Sequence, residues 1–244
     1  RHLMAEPAKF DYMRLAHPPV TFKQEKRKLQ ERIPAAREYI IQHGLNEFMP
    51  GKKHADLGLI VQGGLYNSLL RSLQLLGLGN AFGECDIPML VLNVTYPLVP
   101  DQIADFCQGK RGVLVVEEGT PEYIEQDIAT QLRRAGVNTP LHGKDILPGA
   151  GEYNVEAIST GLAAFAKNHL PPQAQKQAVT WLEALQKRRA DVAKALGTPL
   201  PARPPGFCIG CPERPVFSAL KLVQQEIGDV HVAADIGCHA LGTF

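Results

Sequence analysis

Between residues 56 and 170, short apolar runs of strand length alternate with longer stretches of helical periodicity, and few architectures accommodate that order. Residues 56–61, 88–94 and 112–116 are apolar almost throughout and bounded by turn residues. A strand apolar on both faces belongs inside a sheet covered on both sides. The intervening stretches 65–76, 100–106, 120–135 and 153–168 are predicted helices. Gly77 and Gly79 stop the first of these; Thr120-Pro121-Glu122 opens the third with a capping hydroxyl, proline at the first helical position and an acid. Residues 140–143 give a last short strand. The expected fold class is α/β, a three-layer α/β/α arrangement around a mostly parallel sheet.

The flanks differ in character. Residues 1–24 hold Pro7, Pro18 and Pro19 without sustained periodicity and read as an extended lead-in. A helix is expected over 26–42, with a break or kink at Pro34. The α/β domain is placed at 25–170, a helical and proline-rich linker at 171–204, and an incomplete second α/β domain at 205–244, with a helix over 216–227 and a strand over 230–234.

Composition enters as a set of exclusions. A formal charge of +1 over 244 residues gives no electrostatic reason to expect nucleic acid or an anionic membrane as partner. No apolar run reaches the length of a membrane span, and the N-terminus lacks a signal-peptide pattern. Five cysteines, an odd number, fit a reducing, cytoplasmic compartment. Cys85 and Cys107 fall in core territory, where a thiol behaves as a small hydrophobe.

The chemistry-bearing stretch is Pro204-Pro205-Gly206-Phe207-Cys208-Ile209-Gly210-Cys211-Pro212-Glu213-Arg214, followed by Asp235-Ile236-Gly237-Cys238. Thiolates two residues apart can reach one metal or cluster if the turn between them aims both side chains inward, with Gly210 relieving crowding. Three thiolates are one short of the usual four, and the fourth ligand is expected beyond Phe244 or at His239. A redox dithiol and simple packing remain open alternatives. Gln62-Gly63-Gly64 offers amides for an anion, with tight-turn packing as the competing reading. Glu117-Glu118 lies where α/β sheets place ligands, with a solvated loop as its competitor. Asp235 either faces a cofactor or caps the next turn. His142 and His231 read as structural.

With these residues in view, the stretch 204–214 together with 235–238 resembles the 2-oxoacid:ferredoxin oxidoreductases, most of all their indolepyruvate branch. Those proteins open a thiamine-diphosphate domain with a proline- and glycine-framed C-x-G-C, followed by D-I-G-C. The resemblance is specific over 203–244 and generic over 25–170, where it implies a transketolase C-terminal-like domain. It implies that Cys208, Cys211 and Cys238 are three of four ligands of a [4Fe–4S] cluster. It also implies that Gly206, Phe207, Gly210, Pro212, Glu213, Arg214, Asp235 and Gly237 border the cofactor pocket. The implied reaction is oxidative decarboxylation of a 2-oxoacid to an acyl-CoA. Thiamine diphosphate with Mg²⁺ and coenzyme A take part, electrons pass to ferredoxin, and the protein is a homo-oligomer. The diphosphate-binding Gly-Asp-Gly…Asn motif, a fourth cluster cysteine and the pyrimidine-binding domain are absent from the sequence. The chain is therefore expected to be an inactive piece that works with further domains or subunits. The competing functions are a zinc-bearing or scaffold module and, ranked last, a thiol–disulfide oxidoreductase on Cys208 and Cys211.

Overall fold

The computed structural model describes residues 11, 17–199, 206–208, 210–231 and 237. The chain divides into two compact units, Arg1–Arg188 and Arg189–Phe244.

The first unit is built on five strands: β1 (Glu47–Met49), β2 (Leu57–Gln62), β3 (Met89–Leu92), β4 (Gly112–Val116) and β5 (Leu141–His142). Their order in the sheet is β1-β3-β2-β4-β5. β3, β2, β4 and β5 run parallel, with Leu59 opposite Met89 on one side and Leu114 on the other. The expected α/β class and mostly parallel sheet are what the chain forms. β1 is an addition: it pairs antiparallel with β3 through Glu47↔Val91, Phe48↔Leu90 and Met49↔Met89. Three half-exposed residues carry no alternation that would mark a strand, so only the unpaired edge of β3 reveals it.

Helices α3 (Tyr66–Leu75) and α6 (Val155–His169) cover one face; α4 (Pro100–Cys107) and α5 (Tyr123–Ala135) cover the other. Alternation along β2 fixes this division. Leu57, Leu59 and Val61 enter the core with Leu69, Leu73, Ile158 and Phe165, whereas Ile60 joins Val113, Ile103 and Ile128. Burying both sides of each central strand is the strongest stabilising contribution in this unit, at about 1.5–3 kcal/mol per large aliphatic side chain. Ser72 ties the first layer together, its Oγ lying 2.8 Å from the Ser68 carbonyl and 3.1 Å from that of Val155.

The N-terminal helix departs from expectation. α1 (Val20–Arg27) starts within the supposed lead-in, and a π-helical turn, Lys28–Arg32, joins it to α2 (Ile33–Gln42). Pro34 neither breaks nor ends the helix because it sits in the first turn of α2. The wide turn just before it accommodates a residue that has no N–H to donate.

α7 (Pro172–Leu196) begins in the segment expected to be a linker, and Ala178 on it is buried in the first core with Trp181 and Leu182 packed alongside. In the second unit α8 (Arg214–Ile227) has no buried residue among those described and leaves Val216, Leu222, Val223 and Ile227 exposed. Of the strand expected over 230–234, residues 230 and 231 are not in a strand and 232–234 lie outside the described residues.

One ion pair secures the start of two central strands. Arg111 Nε donates to Asp56 Oδ2 at 2.9 Å, and its Nη2 donates to the His169 carbonyl at 2.8 Å. The Arg111 hydrogen bond holds the Asp56 carboxyl below its ordinary value of 3.8. A depressed folded-state pKa gives stability that is present above the unfolded pKa and lost as pH falls through the folded one. Both side chains are half-exposed, so the expected contribution is only about 0.2–1 kcal/mol. Urea melts at neutral pH and near pH 3 should therefore converge for Asp56→Asn and wild type at the acid end; an equal difference at both would refute the pairing.

Candidate functional site

The cysteine loop leads into α8. Cys211 N–H donates to the Cys208 carbonyl at 3.1 Å, closing a turn, and Arg214 N–H reaches back to the Cys211 carbonyl at 3.4 Å. Gly210 sits in this turn at φ +75°. The crowding expected at Gly210 is not found, since a Cβ there would meet nothing within 4 Å. Glycine is required instead by the left-handed backbone. The Arg214 guanidinium donates to the Phe207 carbonyl at 2.6 Å. Phe207 stacks on Phe217 with ring centroids 5.3 Å apart. These two contacts brace the loop onto the first turn of α8, where Pro215 supplies a preset helical φ.

Both thiols are free, Cys208 exposed and Cys211 half-buried. Glu213 precedes α8, and its Oε2 is buried with no hydrogen-bond partner among the described residues. An unpartnered buried carboxylate oxygen costs free energy, so it marks a place where a donor is wanted. The structure thus gathers Gly206, Phe207, Cys208, Gly210, Cys211, Pro212, Glu213 and Arg214 into one loop. Asp235 and Cys238 lie outside the described residues; Gly237 is described and makes no close approach to any other described residue. Cys85 and Cys107 are different in kind. Both are buried, and burial pushes the Cys107 thiol up to about 12, so neither offers a thiolate near neutrality.

A second feature is the cleft at the carboxyl ends of the strands. It measures about 560 Å³ and is bordered by Gln62, Tyr96, Glu117, Glu118, Tyr123 and Asp127. It opens between β2 and β4, where the sheet order reverses, the position at which such sheets hold ligands. Its acids are already engaged. Glu117 is 6% exposed, and its two carboxylate oxygens accept from Ile124 N at 2.9 Å and Glu125 N at 3.0 Å. It therefore caps α5, the task expected of Thr120, whose hydroxyl instead bonds the Gly149 carbonyl. Glu118 Oε2 accepts from Tyr153 N at 2.5 Å, and Glu118 N donates to Gln62 Oε1 at 2.9 Å. Neither carboxylate is a free loop acid. Gly63 is a packing glycine, because a Cβ there would lie 2.6 Å from Asn93 Oδ1.

Sequence reasoning missed one cluster. His142 Nδ1 lies 2.7 Å from Asp145 Oδ2, and His142 Nε2 lies 3.1 Å from His169 Nε2. The two histidines are far apart in sequence, and only the placement of β5 beside the end of α6 joins them.

The chain is similar to the proteins named indolepyruvate oxidoreductase subunit IorA. It is 29% identical to that of Methanothermobacter marburgensis over 231 residues, 92% of this chain and 33% of the relative. It is 32% identical to that of Archaeoglobus fulgidus over 189 residues, 77% of this chain and 26% of the relative. The chain thus spans about a third or less of the length of these relatives. No family model matches it. Among solved structures, a 2-oxoglutarate:ferredoxin oxidoreductase from Magnetococcus marinus aligns with a TM-score of 0.40 and 17% identity over 58% of this chain and 23% of that one.

Among the described residues, no helix is long and apolar enough to cross a membrane.

Proposed function

We propose that this chain is part of a thiamine-diphosphate- and iron–sulfur-dependent 2-oxoacid:ferredoxin oxidoreductase acting on indolepyruvate or a similar aryl pyruvate. In this reading it works only with further domains or subunits, in a homo-oligomer that reduces ferredoxin. The observation that carries the proposal is the Cys208–Cys211 turn, which presents two free thiols on a loop braced by Arg214 and Phe217. Support comes from the name shared by the relatives.

The donor set fits. Thiolates are the ligands iron–sulfur clusters take, and Cys208, Cys211 and the more distant Cys238 would supply three of four. A cluster bound there would accept electrons one at a time from the thiamine-bound substrate and pass them on to ferredoxin. Gly206, Phe207, Gly210, Pro212 and Glu213 would border the thiamine diphosphate and its Mg²⁺, with Asp235 and Gly237 beside them. Coenzyme A would take the acyl group. This chain's own contribution is mechanical and electrostatic. Arg214 holds the Phe207 carbonyl and so fixes the approach to Cys208. The amide of Cys211, committed to the Cys208 carbonyl, keeps the turn closed. The Glu213 Oε2, without a partner among the described residues, is an acceptor for a donor of the incoming group.

The test uses the intact protein of which the chain is a part. Cys211→Ala should abolish ferredoxin reduction while decarboxylation of the 2-oxoacid continues. A variant that reduces ferredoxin at the wild-type rate would refute the ligand assignment.

A further inference from the structure

The imidazoles of His142 and His169 meet at the rim of the first unit. Asp145 takes the Nδ1–H of His142 at 2.7 Å, and its other oxygen accepts from Gly143 N at 2.7 Å. A carboxylate only accepts, so His142 carries its proton on Nδ1 and keeps a lone pair on Nε2. That lone pair faces His169 Nε2 at 3.1 Å. His169 is placed by the last turn of α6, and Arg111 grips its carbonyl.

We propose that His142 and His169 form a two-imidazole site for a borderline divalent transition ion such as Zn²⁺ or Ni²⁺, with Asp145 orienting His142 from behind. Metal–nitrogen bonds of about 2.0–2.1 Å across the observed separation give an N–metal–N angle of roughly 95–100°, within reach of tetrahedral and octahedral coordination. A carboxylate on the far nitrogen of a ligating histidine fixes its tautomer and raises its basicity. Among the described residues, no three histidine, cysteine or acidic side chains converge on one point. Water therefore completes the shell, and the His142 side chain, 21% exposed, leaves an approach from solvent. When the ion binds, His169 shifts its proton from Nε2 to Nδ1, so no net proton is released.

The surroundings favour a cation. Asp145 stands beside the pair, and the Glu125 carboxylate accepts from Lys144 N one turn away. The opposing positive charges are Arg111, already paired with Asp56, and Lys144, whose ammonium is held by the Glu117 carbonyl and the Tyr153 hydroxyl.

The test is a titration of the intact protein of which the chain is a part with Ni²⁺ alone, with Cys208, Cys211 and Cys238 changed to serine so that thiolates do not compete. Its outcome is thereby separate from that of the cluster proposal. One Ni²⁺ per chain should bind, broadening the ring signals of His142 and His169 before those of any other histidine. His142→Gln and His169→Gln should each weaken binding more than tenfold, and Asp145→Asn by about tenfold. No saturable uptake up to about 1 mM Ni²⁺ would overturn the site, leaving a shared proton only. Uptake undiminished in both histidine variants, or broadening that spares both rings, would equally overturn it.

Discussion

Glu117→Ala should destabilise the first unit by about 2–4 kcal/mol, read as the shift of its urea or thermal transition. The carboxylate is buried at the end of β4, and each of its oxygens receives an amide from the first turn of α5. Hydrogen bonds to a charged group contribute about 1.5–3 kcal/mol each, and removing the acceptor leaves two buried amides unpaired. The positive end of the α5 dipole adds to the loss. Glu117→Gln keeps one acceptor in place and should cost about half as much. The comparison separates two roles for the same residue. An acid held ready for a ligand in the cleft would be under strain, and its removal would leave stability unchanged or raise it. A melt of Glu117→Ala coincident with wild type would therefore return Glu117 to the list of ligand-binding candidates.

The same residue shows where sequence reading reaches its limit. Thr120-Pro121-Glu122 has the composition of a helix start, yet α5 begins at Tyr123 and is capped by the strand that precedes the turn. Local pattern favours the nearest hydroxyl, whereas the folded chain brings a stronger acceptor from three residues further back. Where the deciding interaction is local, the reading holds. The apolar runs of β2, β3 and β4 are buried as their composition requires, whereas Asn154, expected inside the helix over 153–168, stands before α6 and caps it by accepting from Ala157 N at 3.0 Å. Pro18 and Pro19 signalled an extended segment, but Pro19 directly precedes α1, a position that needs no N–H. β1 and the His142–His169 pair exist only through neighbours distant in sequence. The cysteine loop was legible because its chemistry is compressed into a few residues, but its third cysteine, Cys238, lies outside the described residues.

Loss of one cluster's worth of metal is the other large effect expected. Cys208 is exposed on a loop that its own hydrogen bonds and the Phe207–Phe217 stack hold in shape, so replacing its thiol would remove a ligand of the proposed cluster while leaving those loop contacts in place. The loop should persist in Cys208→Ala, and the unfolding transition should stay within about 0.5 kcal/mol of wild type, as for other surface changes. A cluster deprived of one thiolate at a solvent-facing position is expected to be lost, since ligand number and burial set how firmly it is held.

The measurement to make is iron and acid-labile sulfide per chain in the intact protein purified without oxygen, with Cys208→Ala beside it. A drop of about four irons and four sulfides in the variant, with its fold intact, is the expected result. An unchanged iron and sulfide content, or zinc in place of iron at these thiols, would contradict the cluster and with it the oxidoreductase reading of this loop.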